Sequence, residues 1–167
     1  MNLTKRIGKV HKTYAWIGGG AGLLFAISVA ATVGSPLPVL HLLGAGEILP
    51  PIWILGLLWL GGYGILGAAA GYVLACAACQ PSREVLVWRG LTFLVVEVTF
   101  SFAWYSLSFG SFHLAPAWIC LLLAVAAGIV CTVSWLFARR GPALLCGGVT
   151  LWFVYLVLCH LVVILHN

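Results

Sequence analysis

Two ionisable side chains, Glu97 and His160, interrupt apolar segments that are long enough to cross a bilayer. Such groups are costly in hydrocarbon, so they usually face the interior of a helix bundle and mark a proton pathway, an ion or a ligand. We expect Glu97 to be protonated or paired, with a role in structural pairing, ligand contact or proton handling. His160 could ligate a metal or haem, although an interior histidine held by hydrogen bonds is the more common case.

Aromatic and small polar residues accompany both groups at helical spacing. Three segments each carry such a face, which lipid would not favour. If the three faces converge, they line a cavity between helices, where bundles hold their ligands. The faces are Glu97, Ser101, Trp104 and Ser108; Trp152, Tyr155, Leu156, Cys159 and His160; and Trp53, Gly56, Leu60, Tyr63 and Gly67, with Trp59 beside them.

Six cysteines lie mostly within the apolar segments, and Cys76 and Cys79 form the sequence C-A-A-C. That spacing suits a redox or metal pair. Because no second pair of this kind and no histidine pair accompanies it, we interpret the cysteines as small packing residues in a reducing compartment. No nucleophile–base pair or multi-ligand metal set is visible either, so we predict no catalytic residue and no metal site.

The composition indicates a membrane protein. Of the 167 residues, 63% are hydrophobic and 7% are charged, whereas soluble domains carry about 25% charged residues. The apolar runs are continuous and about 20 residues long, as bilayer-spanning helices require, and do not alternate as barrel strands do. We predict an all-α integral membrane protein, with residues 1–167 forming one domain, a five-transmembrane-helix bundle. The predicted helices span 13–34, 50–76, 86–109, 114–138 and 142–165.

The positive charges predict the orientation in the membrane. All eight lysines and arginines lie before the first predicted helix, around the second loop or in the fourth loop. Under the positive-inside rule this places the N-terminus in the cytoplasm. Charges split among three short segments do not indicate nucleic-acid binding. The first apolar segment is too long and too rich in glycine for a cleaved signal peptide, and without a transit peptide we expect a prokaryotic plasma membrane.

Three motifs carry a resemblance to a known family. The segment LPPIWILGLLWLGGYG (49–64) is similar to the helix-two pattern P-P-x-W-x-F-x-x-V-W-T-x-L-Y-x-x-M-G of the TspO/MBR family. These are the tryptophan-rich sensory proteins related to the translocator protein, or peripheral-type benzodiazepine receptor. SFAWYSLSFG (101–110) resembles the family's N-F-x-W-S-P-x-F-F-G, and WFVYLVLCH (152–160) stands where the family has W-x-x-F-A-x-x-L-N. The residues that match the first pattern without a gap are Pro50, Pro51, Trp53, Trp59, Tyr63 and Gly67.

The resemblance implies a cavity that binds porphyrin, haem, sterol-like or other hydrophobic ligands, with a role in tetrapyrrole handling, transport or stress signalling. It requires no cofactor beyond such a ligand. It also implies a homodimer, and light-dependent porphyrin degradation as an activity of some members. The residues expected to line the site are Pro51, Trp53, Trp59, Tyr63, Glu97, Ser101, Trp104, Trp152, Tyr155, Leu156 and His160.

Several of these positions depart from the family pattern. Glu97 replaces a glutamine, whereas Ser101 and His160 each replace an asparagine. Leu156 adds bulk where the family has alanine, which predicts a narrower pocket. The resemblance therefore implies the fold more firmly than the ligand.

Two other function classes fit the same residues. In a small proton-coupled transporter or channel, Glu97 and His160 would form the relay, although the odd helix number and the absence of an internal repeat do not suggest a duplicated transporter. In a structural or assembly subunit, Trp53, Trp104 and Trp152 could be replaced by phenylalanine with little loss beyond stability.

Overall fold

The chain forms five long helices in the computed structural model, which describes residues 3–33, 51–79 and 81–166. They are α1 (Leu3–Val33), α2 (Ile52–Cys79), α3 (Glu84–Tyr105), α4 (Leu114–Ala138) and α5 (Arg140–His166). A 3-10 turn (Pro81–Arg83) precedes α3, and a π-helical turn (Ser106–Gly110) follows it. All five helices are long and apolar enough to cross a membrane, and the described ranges contain no strand. The prediction of an all-α integral membrane protein with a five-helix bundle is confirmed.

The helix limits follow local chemistry. The limits of α4 coincide with the predicted 114–138. Helix α1 begins at Leu3 rather than 13, because the lysines and arginines that precede the apolar run are good helix formers. Helix α2 starts just after Pro51, whose carbonyl oxygen accepts a hydrogen bond from the Ile54 amide at 2.8 Å. The predicted limits at residues 34 and 50 lie outside the described ranges.

Close packing of α1 against α2 depends on glycine. A Cβ atom added at Gly67 would overlap the carbonyl oxygen of Gly18, and one added at Gly71 would overlap that of Tyr14. A Cβ at Gly22 would likewise overlap the Tyr63 carbonyl oxygen. Small residues at such spacing let two transmembrane backbones approach closely. Gly67 therefore serves the α1 contact, whereas the sequence pattern grouped it with the aromatic face of α2.

The other four helices enclose the core. Helix α5 packs between α2 and α4, α4 packs on α3, and α3 also touches α2. The indole of Trp135 on α4 is fully buried against Gly90 of α3, and its Nε1 donates to the Val87 carbonyl oxygen at 3.4 Å. Ala26 and Val29 of α1 belong to the same core. The larger core side chains come from the other four helices: Trp59, Tyr63, Leu66 and Val73; Val87, Leu94 and Trp104; Leu121, Cys131 and Trp135; and Cys146, Phe153 and Leu156.

Two loops and the start of α1 meet at one end of the bundle, which we call the basic end. Arg83 donates to the carbonyl oxygen of Ala138, which ties the α2–α3 connection to the end of α4. Arg89 Nε donates to Ser134 Oγ at 3.0 Å. Arg139 and Arg140 form the turn between α4 and α5 at this end.

Candidate functional site

The polar stripe of α3 is buried throughout. Glu97 and Ser101 have no exposed surface, and Trp104 and Ser108 retain only a few per cent. The stripe faces three partners in turn, because Glu97 contacts residues of α4 and α5, Ser101 meets α2, and Trp104 reaches both α2 and α5. Helix α3 thus carries the polar centre of the bundle.

A hydrogen bond links α2 to α3 in this centre. Tyr63 Oη lies 2.5 Å from Ser101 Oγ, and Ser101 Oγ lies 2.9 Å from the Val98 carbonyl oxygen. The carbonyl can only accept, so the serine hydroxyl donates to it and the tyrosine hydroxyl donates to the serine. Both side-chain hydroxyl groups are satisfied without water.

His160 links α5 to α3 and α4. Its Nε2 lies 3.0 Å from the Leu114 carbonyl oxygen, which can only accept, so Nε2 carries the proton. Its Nδ1 then accepts from Trp104 Nε1 at 3.4 Å. Because both ring nitrogens are engaged, ligation of a metal or haem iron by His160 would require one of these bonds to break.

An aromatic cluster fills the space where the three faces meet. We define it as Trp59, Tyr63, Trp104, Tyr105 and Phe109. The ring centroid of Trp59 lies 4.9 Å from that of Tyr63, 4.8 Å from that of Tyr105 and 5.7 Å from that of Trp104. These are the distances of direct ring contacts. The indole Nε1 of Trp59 is buried and has no hydrogen-bond partner.

The described residues enclose a small cavity beside the aromatic cluster. A cavity of about 10 Å³ lies between α2 and α5, next to Trp59, Tyr63, Trp152 and Phe153. That volume holds about one water molecule. Leu156 is buried at 3% exposure. The three faces converge, and the rings of the aromatic cluster contact one another there.

Three of the predicted lining residues lie away from the cluster. Pro51 is exposed, Trp53 is 65% exposed, and Tyr155 is 38% exposed and stacks on the half-buried Trp152 at 5.2 Å. At 3.6 residues per turn, Trp53 lies about 120° around α2 from Trp59. An indole near a helix end is also a common anchor at the membrane–water interface. The structure thus brings together Trp59, Tyr63, Ser101, Trp104 and His160.

Glu97 belongs to a second polar group. Cys146 Sγ lies 4.0 Å from Glu97 Oε2, whereas Glu97 Oε1 is buried without a partner. One ligand atom each from Glu97, Cys131 and Cys146 lie within 4.8 Å of one another, and all three residues are buried. Two thiols and a carboxylate are donors that suit Zn²⁺. Among the described residues, this thiol–carboxylate group is the one that could hold a metal ion.

The residues of this group come from three helices, so no spacing within one helix reveals it. One signal was available. Cys131 and Cys146 stand at nearly equal distances on either side of Arg139, where the chain turns from α4 into α5. In an antiparallel helix pair, residues placed symmetrically about the turn lie at the same level.

Comparison with known proteins gives no relative from which a function could be transferred. No protein-family model, curated protein or solved structure matches the chain. The residues and their geometry are therefore the basis for a functional conclusion.

Proposed function

We propose that this chain is a membrane-embedded ligand-binding protein of the TspO type, which takes a flat hydrophobic ligand of the porphyrin class between α2, α3 and α5. The observation that carries the proposal is the aromatic cluster itself. Residues from two segments of family-like sequence, Trp59 and Tyr63 on α2 and Trp104 on α3, meet there. A third segment contributes His160 through its bond to Trp104.

The chemistry of the cluster suits a conjugated ring. Flat indole and phenol faces favour stacked or edge contacts with another aromatic surface. The unpartnered Nε1 of Trp59 supplies a donor for a polar group of the ligand. A buried donor without a partner costs about 1–3 kcal/mol, so an acceptor on the ligand would recover part of that free energy.

Binding requires the cluster to open, since a cavity of about 10 Å³ cannot hold a tetrapyrrole. The contacts that must part are the Tyr63–Ser101 hydrogen bond and the ring contacts of Trp59. Helix α2 packs most extensively on α1 rather than on α3 or α5. We infer that α1 and α2 move together, away from α3, when the ligand enters, and that this movement could serve a sensory role.

The location proposed for this activity is a prokaryotic plasma membrane, with the basic end in the cytoplasm. Arg83 of one inner loop donates there to the carbonyl oxygen of Ala138, the residue before Arg139 of the other, and the positive-inside rule expects both loops on the cytoplasmic side.

A porphyrin titration tests the binding proposal. Protoporphyrin is added to the purified protein in nanodiscs, and the shift of its own absorbance band is followed, so that the number of tryptophans does not affect the signal. The wild type is expected to bind saturably. Trp59→Phe should weaken affinity about threefold to tenfold, because it removes the N–H donor and part of the ring.

Two matched variants make the test specific. Trp16→Phe alters an indole that is 81% exposed on α1, and Trp53→Phe alters one that lies away from the cluster. Both should bind as the wild type does. Equal affinity of all four proteins, or no saturable shift in any, would contradict a porphyrin site at the aromatic cluster.

One observation favours a second function, a proton-coupled transporter. Glu97 is fully buried and keeps one oxygen unpartnered, as a proton carrier would. The distance between Glu97 and His160 argues against this function. His160 contacts Trp104, which lies seven residues after Glu97 on α3, so Glu97 and the contact of His160 are about 10 Å apart along that helix. Proton-driven flux in liposomes that disappears in Glu97→Gln would support the transporter over simple binding.

A further inference from the structure

A cleft of about 940 Å³ opens at the basic end of the bundle, apart from the aromatic cluster. Residues of α1, α2, α4 and α5 and the α2–α3 connection enclose it. Its walls include Tyr72, Arg83, Arg139, Arg140, Leu144 and Leu145. We call this feature the basic cleft.

The basic cleft is rich in positive charge. Arg83, Arg139 and Arg140 line it. Among the described residues the acidic side chains are Glu84 and Glu97. Glu84 accepts from Trp88 Nε1 at 3.2 Å, and Glu97 lies with the cysteines in the core. Among the residues that the structure describes, no carboxylate lines the cleft to compete with an anion from outside the chain.

Two buried side-chain nitrogen atoms beside the cleft lack hydrogen-bond partners. Arg139 Nε is buried with no hydrogen-bond partner, and so is Nδ1 of His11. His11 is 5% exposed and stacks on Tyr72, a wall of the cleft, with ring centroids 4.9 Å apart. Arg139 is close enough to His11 to interact with it electrostatically. An acceptor that carries negative charge would pair with the N–H group at Arg139 Nε.

The rest of the cleft is apolar and faces the surroundings of the bundle. Leu136, Phe137, Leu144 and Leu145 are between 46% and 71% exposed. They belong to the last turn of α4 and the first two turns of α5, beside Arg139 and Arg140. A cationic pocket at the end of two spans, continued by an apolar wall, matches a molecule with an anionic head and a hydrocarbon tail.

We propose that the basic cleft is a binding site for an anionic phospholipid, whose phosphate contacts Arg139 and Arg140 and whose acyl chain lies along Leu144 and Leu145. This proposal is independent of the porphyrin site. A free phosphate shares the head-group chemistry, but it would leave the exposed apolar wall without a partner. A zwitterionic lipid carries a positively charged group beside its phosphate, and the three arginines would repel that group.

Native mass spectrometry tests the site. The protein is released from nanodiscs that contain equal amounts of phosphatidylglycerol and phosphatidylcholine, and the bound lipids are counted. The wild type is expected to retain phosphatidylglycerol preferentially, with one tightly held copy. Arg139→Gln with Arg140→Gln should reduce that preference at least tenfold, because each arginine near an anionic lipid contributes about fivefold.

Three controls make the outcome decisive. Arg89→Gln removes an arginine near the same end that bonds to Ser134 and does not line the cleft, so it should retain lipid as the wild type does. Arg140→Glu alters an exposed residue and tests the charge if the double variant fails to fold. Inorganic phosphate at millimolar concentration should not displace the lipid.

Equal retention by the wild type, Arg89→Gln and the double variant would overturn the proposal, because it would reflect general attraction to a basic surface. Displacement by phosphate would assign the cleft to a soluble anion instead. Equal retention of the two lipids by the wild type would also contradict it.

Discussion

Buried polar atoms without partners distinguish this bundle from a core built only for stability. Trp59 Nε1, Glu97 Oε1 and Ser108 Oγ are all enclosed and unpaired. In hydrocarbon each such atom costs free energy that leucine or phenylalanine in the same place would avoid. The ligand binding proposed above would give such an atom a partner, which simple packing does not.

Glu97 allows a direct test at the residue scale. We expect Glu97→Met to preserve or raise the melting temperature in detergent, because methionine keeps the volume and removes an unpartnered oxygen that costs about 1–3 kcal/mol. Glu97→Ala should lower it, because deleting a large buried side chain leaves a cavity and costs about 2–5 kcal/mol.

Zinc analysis of Glu97→Met and of a further variant, Cys146→Ser, extends the test. If Glu97→Met were as unstable as Glu97→Ala, the carboxylate would be making a strong interaction. Bound zinc that is lost from Cys146→Ser as well as from Glu97→Met would identify that interaction as coordination by the thiol–carboxylate group. If Glu97→Met were stable and lost no zinc, metal coordination would be ruled out, and the role of the carboxyl group would be ligand contact or proton transfer.

Sequence periodicity identified the buried stripe of α3 but not every member of the site. Spacing tells which residues share a face of one helix, and Glu97, Ser101, Trp104 and Ser108 do share one. It does not tell how far that helix is rotated towards its neighbours. Trp53 was therefore grouped with Tyr63, although α2 turns it outward.

At the scale of elements, the packing of α1 on α2 rests on an unusually direct contact between backbones. Gly18 faces Gly67, and Gly71 faces the Tyr14 carbonyl oxygen. Sequence could predict close packing from the small-residue spacing of Gly67 and Gly71. It could not predict that α1 is the partner, because every helix in this chain contains small residues.

We predict that Gly67→Ala lowers the melting temperature and Gly61→Ala does not. A Cβ at Gly67 meets the backbone of α1, and overpacking of this kind costs about 1–3 kcal/mol. A Cβ at Gly61, on the same helix, meets no atom within 4 Å and should add up to about 1 kcal/mol through better helix propensity. Thermal unfolding followed by circular dichroism measures both, and equal melting temperatures would show that α1 shifts freely on α2.

Elements with sharp local boundaries were the most predictable. Helix α4 lies between a glycine-containing turn and Arg139, whose extended backbone ends it, and its limits follow from hydropathy alone. The start of α1 could not be predicted from hydropathy. The apolar run begins only after the lysines, whereas lysine and arginine are good helix formers, so the helix extends through them to Leu3. The π-helical turn after Tyr105 has no signal in the apolar pattern.

At the scale of the whole molecule, the five spans found among the described residues are an odd number, which would place residues 3 and 166 on opposite sides of the membrane. The basic end includes the start of α1, so the N-terminus is predicted to be cytoplasmic. The basic cleft would then open towards the cytoplasmic leaflet, which carries the negative surface potential that attracts arginines. The C-terminal end of α5, beyond His160, would lie on the opposite side.

Reporter fusions in a bacterial host measure this orientation. A fluorescent protein that folds only in the cytoplasm should be bright when fused to the N-terminus and dark when fused to the C-terminus, and an alkaline phosphatase fusion at the C-terminus should be active. Replacing Arg139 and Arg140 with glutamine should leave this topology intact, because Lys12 and Arg83 still lie at the same end. A dark N-terminal fusion and a bright C-terminal one would invert the molecule and turn the basic cleft towards the outer leaflet, where the orientation argument for an anionic lipid no longer applies.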